Sequence, residues 1–120
     1  MNMANQIVWC DIPVKDLDHA ITFYSAVLGG TVAKLSVEGM TFGLLPDADS
    51  GVSGCLVLDA KPSADGPMIY LNCKGRLAAA IADVEKNGGK ILKPKHQIGP
   101  HGFRAVVLDS EGNRIALHST

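Results

Sequence analysis

Four histidines, three cysteines and twelve acidic side chains are the groups in this chain with the chemistry to hold a metal or activate a nucleophile, and their spacing supports neither. His19 falls in the first turn of a predicted helix, His96 and His101 flank a Gly-Pro turn, and His118 closes the last strand-like run. Glu38, Glu85 and Glu111 fall in a turn, on a helix face and in a hairpin turn, so no His and Glu recur at a chelating interval. Cys10, Cys55 and Cys73 show neither C-x-x-C nor zinc-type spacing. Set in apolar runs, they read as small buried hydrophobes in a reducing compartment. Ser25, Ser36 and Ser53 have no activating partner nearby, and the glycines at 99 and 102 are turn chemistry, because no strand leads through them into a helix.

What remains is a set of side chains suited to contact, carried on alternating runs. Ile7, Trp9 and Asp11 share one face of a first strand, Met68, Tyr70 and Asn72 one face of another, and Arg114, Ala116 and His118 one face of the last. An indole, a phenol and a thioether supply stacking surface, while Asp11, Asn72 and His118 supply a few polar contacts, the mixture expected of a small-molecule pocket. The same residues would also suit an interior packed shut. Asp11 is a general base if burial raises its carboxyl, or an acceptor for local amides near Pro13, and the second reading is preferred. In residues 103–108 both alternating sets are apolar, so periodicity leaves the phase of Arg104 open. Facing inward it suits a carboxylate or phosphate; at a sheet edge, the preferred reading, it keeps the strand soluble.

The elements that position these residues come in duplicate. Residues 14–34 and 73–93 each leave a strand, carry a helical apolar pattern, close on Gly-Gly and enter a β-type run. Leu17, Ala20 and Ile21 recur as Leu77, Ala80 and Ile81, sixty residues on. Helices are predicted over residues 17–28, with Asp16 as N-cap and Gly29-Gly30 as stop, and over 76–87. Strands are predicted at residues 6–12, 31–37, 40–45, 52–58, 68–73, 90–93, 103–108 and 114–118, with a turn-rich PDADSGVSG segment before the fourth and D-S-E-G-N before the last. The order is βαβββ twice: a first module over 6–59, a linker over 60–66 (AKPSADG) and a second module over 67–118, within one domain spanning 1–120. A unit of about 60 residues buries too little surface alone, so the halves must share a core and function belongs where they meet.

Charge narrows the partners. Eleven basic against twelve acidic side chains leave a net charge of −1 with no cluster of either sign, which gives nucleic acid or an acidic membrane nothing to bind. The start, MNMANQIVWC, lacks a basic segment followed by an apolar one, and no apolar run approaches the ~20 residues of a membrane span. A cytoplasmic location is the expectation.

The strings IPVKDLDHAITFYSAVLGG, YLNC with the following LAAAIA and VEKNGGK, and DSEGNRIAL resemble the vicinal oxygen chelate superfamily. It includes glyoxalase I, the extradiol dioxygenases, and the bleomycin and fosfomycin resistance proteins. The resemblance implies an α+β fold in which two tandem βαβββ modules form a partly open mixed barrel around a cleft, commonly in a homodimer. It also implies that metal-dependent relatives ligate a divalent cation with His and Glu on the first and last strands of each module. Those positions fall here on Trp9, Met68 and Ala116, with no Glu or His around residues 51–58, so no metal and no other cofactor is expected. Trp9, Asp11, Met68, Tyr70, Asn72, Arg104, Ala116 and His118 are then the candidate cleft residues. The expected function is metal-independent binding of a small organic molecule. The alternative is a lyase or isomerase of the glyoxalase type, with its divalent ion relocated to His118 and residues of a dimer partner. A third reading is a module that pairs through its sheet edges and has lost any pocket.

Overall fold

Asp16 starts the first helix as its residue type predicts. Its backbone is extended (φ −118°) and its carboxylate accepts the His19 N–H at 3.0 Å, satisfying a donor that the first helical turn leaves open. Helix α1 (Leu17–Leu28) stops at Gly29, which takes the left-handed conformation (φ 69°) and returns its N–H to the Ser25 carbonyl at 3.0 Å. In the computed structural model, which describes residues 6–46 and 51–120, α1 follows β1 (Trp9–Pro13) and precedes β2 (Ala33–Val37), β3 (Met40–Leu44) and β4 (Ser53–Val57). The plan repeats as β5 (Ile69–Asn72), α2 (Leu77–Lys86), β6 (Lys90–Gln97), β7 (Phe103–Leu108) and β8 (Arg114–Ser119).

Each module forms a four-stranded sheet, ordered β1-β4-β3-β2 and β5-β8-β7-β6. In both, the first strand pairs parallel with the last and the other neighbours are antiparallel. The α+β prediction of tandem βαβββ modules therefore holds, with the barrel left open: the two sheets are not hydrogen-bonded to one another. Gly54 sets how closely β1 and β4 approach, since a Cβ there would stand 2.3 Å from the Cys10 carbonyl oxygen.

Alternation turns one face of the central strands toward the helices. Ile12 and Leu56 from the first sheet and Ala105, Val107, Ile115 and Leu117 from the second join Phe23, Tyr24 and Val27 of α1 and Ala80 and Val84 of α2 in one buried cluster. The helices pack on each other, so the modules share that core. The opposite faces carry no helix. They present Trp9, Asp11 and Cys55 on one sheet and Tyr70, Asn72, Arg104, Ala116 and His118 on the other.

The D-S-E-G-N turn ties the second module to the first. Buried Asp109 accepts the N–H groups of Glu111 and Asn113 on Oδ1, both at 2.8 Å, and the Tyr24 hydroxyl and Asn113 amide on Oδ2. Asn113 also donates to the Pro13 carbonyl at 2.7 Å, and Glu111 Oε1 accepts the N–H groups of Lys15 and Asp16 at 2.8 and 2.7 Å. Burial, with the adjacent Asp109 carboxylate, holds the Tyr24 phenol pKa well above its ordinary value. From the other side, Arg76, the residue before α2, donates to the Val27 carbonyl near the end of α1.

Most element ends lie within two residues of the sequence reading, and three differences bear on the architecture. The first strand begins at Trp9 instead of residue 6, leaving Ile7 and Val8 exposed. The sixth continues past residue 93 to Gln97, because Pro94 lies on an edge strand where a missing N–H need not interrupt pairing; the register shifts on either side of Lys93 instead. Helix α2 begins at Leu77, with Arg76 as its N-cap. Residues 1–5 of the predicted domain, and 47–50 of the turn-rich segment before β4, lie outside the described residues.

Candidate functional site

Because the pseudo-repeated strands β1 and β5 are each an edge of their own sheet, a cleft opens between them. It has a volume of about 800 Å³ and is lined by both strands together with Leu45, Pro46 and Val52. Trp9, Met68, Tyr70 and Asn72 lie along it. Trp9 and Tyr70 remain 42% and 47% exposed, an arrangement that leaves two large aromatic faces uncovered at one opening. Asn72 uses its carbonyl oxygen to accept the Lys74 N–H at 2.9 Å, which leaves its amide N–H groups for other partners. A smaller hollow of about 510 Å³ at the start of α2 is lined by Arg76, Lys95 and Phe103 and contains none of these residues.

The remaining candidates do not line the cleft itself. Asp11 is exposed, and its Oδ1 accepts the Cys55 thiol at 3.3 Å instead of amides near Pro13. Ala116 is fully buried at the sheet and offers a ligand no surface. Arg104 and His118 are register partners on β7 and β8, on the helix-free face next to Tyr70. The preferred reading of Arg104 as an edge residue is thus replaced: β7 lies between β8 and β6, and Arg104 shares the face of Val106 and His118. Its Nε donates to His96 Nε2 at 2.9 Å and an Nη donates to the Tyr70 hydroxyl oxygen, with the guanidinium carbon 5.8 Å from the phenol ring centre. His118 packs edge-on to Tyr70 at 6.3 Å and its Nε2 donates to the His101 carbonyl at 2.7 Å.

His96 is the member of this cluster that sequence reasoning missed. Read as flanking the Gly99-Pro100 turn, it sits on β6 opposite Arg104. The signal was an eight-residue run between two glycine turns, with a proline that an edge strand tolerates.

The register also completes the comparison of metal-ligand positions. Asp11 opposes Cys55 as Tyr70 opposes Ala116, so Cys55 is the first-module counterpart of Ala116. Indole, thioether, methyl and thiol then occupy the four places that the family resemblance implies for ligands. Burial, with the hydrogen bond to Asp11, pushes the Cys55 thiol pKa up, against the thiolate form a metal needs. Among the described residues, no group of three or more His, Cys, Asp and Glu side chains is placed to hold an ion. The side chains at those four places offer a divalent cation no carboxylate or imidazole.

Known proteins place the chain by similarity. Residues 6–117 match the family model for the Glyoxalase/Bleomycin resistance protein/Dioxygenase superfamily. A glyoxylase-like domain-containing protein of Didymella fabae is 30% identical, over 98% of this chain and 95% of that protein. A crystal structure of a glyoxalase/bleomycin resistance protein from Albidiferax ferrireducens superposes with a TM-score of 0.76 at 18% identity, covering 97% of this chain and 99% of the other. The fosfomycin resistance protein FosX of Mesorhizobium loti superposes with a TM-score of 0.67 at 14% identity, covering 99% and 94%. No helix among the described residues is long and apolar enough to cross a membrane. The match along nearly the whole chain and the paired βαβββ sheets lead to one conclusion: this protein belongs to the glyoxalase/bleomycin resistance/dioxygenase superfamily.

Proposed function

We propose that the protein binds a small organic molecule in the cleft between β1 and β5 and does so without a metal. The observation that carries this is the cleft itself. Its volume, about 800 Å³, is within the ~300–1,000 Å³ range of ligand sites, and Trp9, Met68 and Tyr70 supply apolar surface. The metal-independent half rests on the indole, thiol, thioether and methyl at the four ligand positions. Partially exposed aromatics beside a few free polar groups favour a planar, mostly apolar molecule.

Trp9 is the sole tryptophan, so its emission reports directly on the site. Titration with a panel of aromatic acids, alcohols and amides is expected to shift or quench Trp9 emission saturably, equally with and without a strong chelator. Replacing Met68 by Lys is expected to abolish the response while far-UV circular dichroism is retained. A panel with no saturable response would remove the binding reading. A response that the chelator abolishes and a divalent ion restores would remove the metal-independent one.

A further inference from the structure

Among the described residues, no carboxylate neutralises the charge of Arg104: no Asp or Glu lies within ion-pair distance of it, and its side-chain partners are a phenol and an imidazole. The hydrogen-bond pattern defines the state of that imidazole. His96 Nδ1 lies 2.9 Å from the Pro94 carbonyl, which can only accept, so Nδ1 carries the hydrogen. Nε2 therefore presents a lone pair to the Arg104 Nε–H at 2.9 Å, and His96 is neutral in this arrangement. Tyr70 likewise accepts from Arg104 through its oxygen, which leaves its own hydroxyl hydrogen for another acceptor.

Both partners orient the guanidinium without cancelling its charge. A guanidinium has five N–H donors, and these two bonds engage only the Nε–H and one Nη–H. The guanidinium is half-buried on the helix-free face, and Tyr70, which it contacts, also lines the cleft. A fixed, uncompensated guanidinium adjoining a free hydroxyl donor is the arrangement that recognises a planar oxyanion.

We infer that the cleft ligand is an organic acid whose oxyanion is taken by Arg104 and the Tyr70 hydroxyl, while its apolar part lies against Trp9 and Met68. This rests on the binding function proposed above and names the ligand's class. The oxyanion is a carboxylate or a phosphoryl group, the two sources that share this chemistry.

Calorimetry on the intact protein with matched naphthyl, phenyl and indolyl ligands tests it, each ligand supplied as carboxylate, carboxamide and phosphate monoester. At least one oxyanion form is expected to bind about tenfold or more tighter than its carboxamide. A tighter carboxylate or a tighter monoester identifies which source it is. Arg104→Met is expected to erase that preference, and Arg104→Lys to restore part of it. Equal affinity of charged and neutral forms for the wild-type protein overturns the inference while leaving the cleft reading standing, and needs no variant. A preference that survives in Arg104→Met overturns it too. Absence of binding by every member of the series, neutral forms included, overturns both.

Discussion

Replacing Tyr24 by Phe removes one hydroxyl and tests how the two modules are held together. The ring of Tyr24 is fully buried, in edge contact with Phe23 at 5.0 Å, and the substitution keeps that packing. What is lost is the donor to Asp109 Oδ2, which then keeps only the Asn113 amide on that oxygen. A hydrogen bond to a charged partner contributes about 1.5–3 kcal/mol, and a carboxylate this buried cannot recruit water without cost. At roughly 3–5 °C per kcal/mol for a chain of this size, Tyr24→Phe should melt about 5–15 °C below wild type at pH 7. The pH dependence gives a second reading. The folded-state pKa of Tyr24 is raised above the ordinary 10.0, so its contribution is complete below pH 10 and is lost as pH rises from there toward the folded value. Over that interval the unfolded chain releases the phenol proton and the folded chain keeps it, at up to ~1.4 kcal/mol per pH unit. Burial raises the Cys10, Cys55 and Cys73 thiols as well, but their alkaline decline is common to both proteins and cancels in the difference. The stability gap should therefore narrow by roughly 1 kcal/mol between pH 10 and 11. Urea unfolding monitored by circular dichroism at pH 7, 10 and 11 measures it. Equal midpoints at pH 7, or a gap that stays constant to pH 11, would refute the argument.

Two further outcomes follow from the strands that border the cleft. Gly54→Ala places a methyl 2.3 Å from the Cys10 carbonyl oxygen, where no side chain can rotate away, so β1 and β4 must part; a loss of about 3 kcal/mol is expected, and melting within 2 °C of wild type would contradict it. Of the three thiols only Cys10 is partly exposed, and it lines the cleft, so native protein should react with an aromatic disulfide at that position alone, faster above pH 9 because burial and Asp11 raise its pKa. Mass mapping of the labelled peptide checks this, and labelling that persists in Cys10→Ala would count against it.

Much of the architecture was legible because it is written twice. Helix periodicity, the Asp16 cap and the Gly29 stop act locally, over three or four residues, and the structure keeps them. The phase of Arg104 was not legible, because Val106 is buried at one face of β7 and Ala105 and Val107 at the other, so neither set looks solvent-facing. His96 was hidden by Pro94, whose tolerance depends on β6 having no neighbour on one side, a property of the sheet and not of the segment. Glu111 read as a turn residue because its partners, the N–H groups of Lys15 and Asp16, lie more than ninety residues away in sequence. Cys55 could not be matched to Ala116 until the pairing with Asp11 set the register of β4.

The turn before β8 has a consequence for how the chain is made. Glu111 and Asn113 reach back 96 and 100 residues to Lys15 and Pro13, so the entry to α1 lacks its partners until the turn before β8 has left the ribosome. A nascent chain holding the whole first module must wait for its keystone, with apolar surface of α1 uncovered meanwhile. Long-range closure of this kind slows folding and favours association between incomplete chains, so loss of residues 111–113 should be far more damaging than three turn residues would suggest.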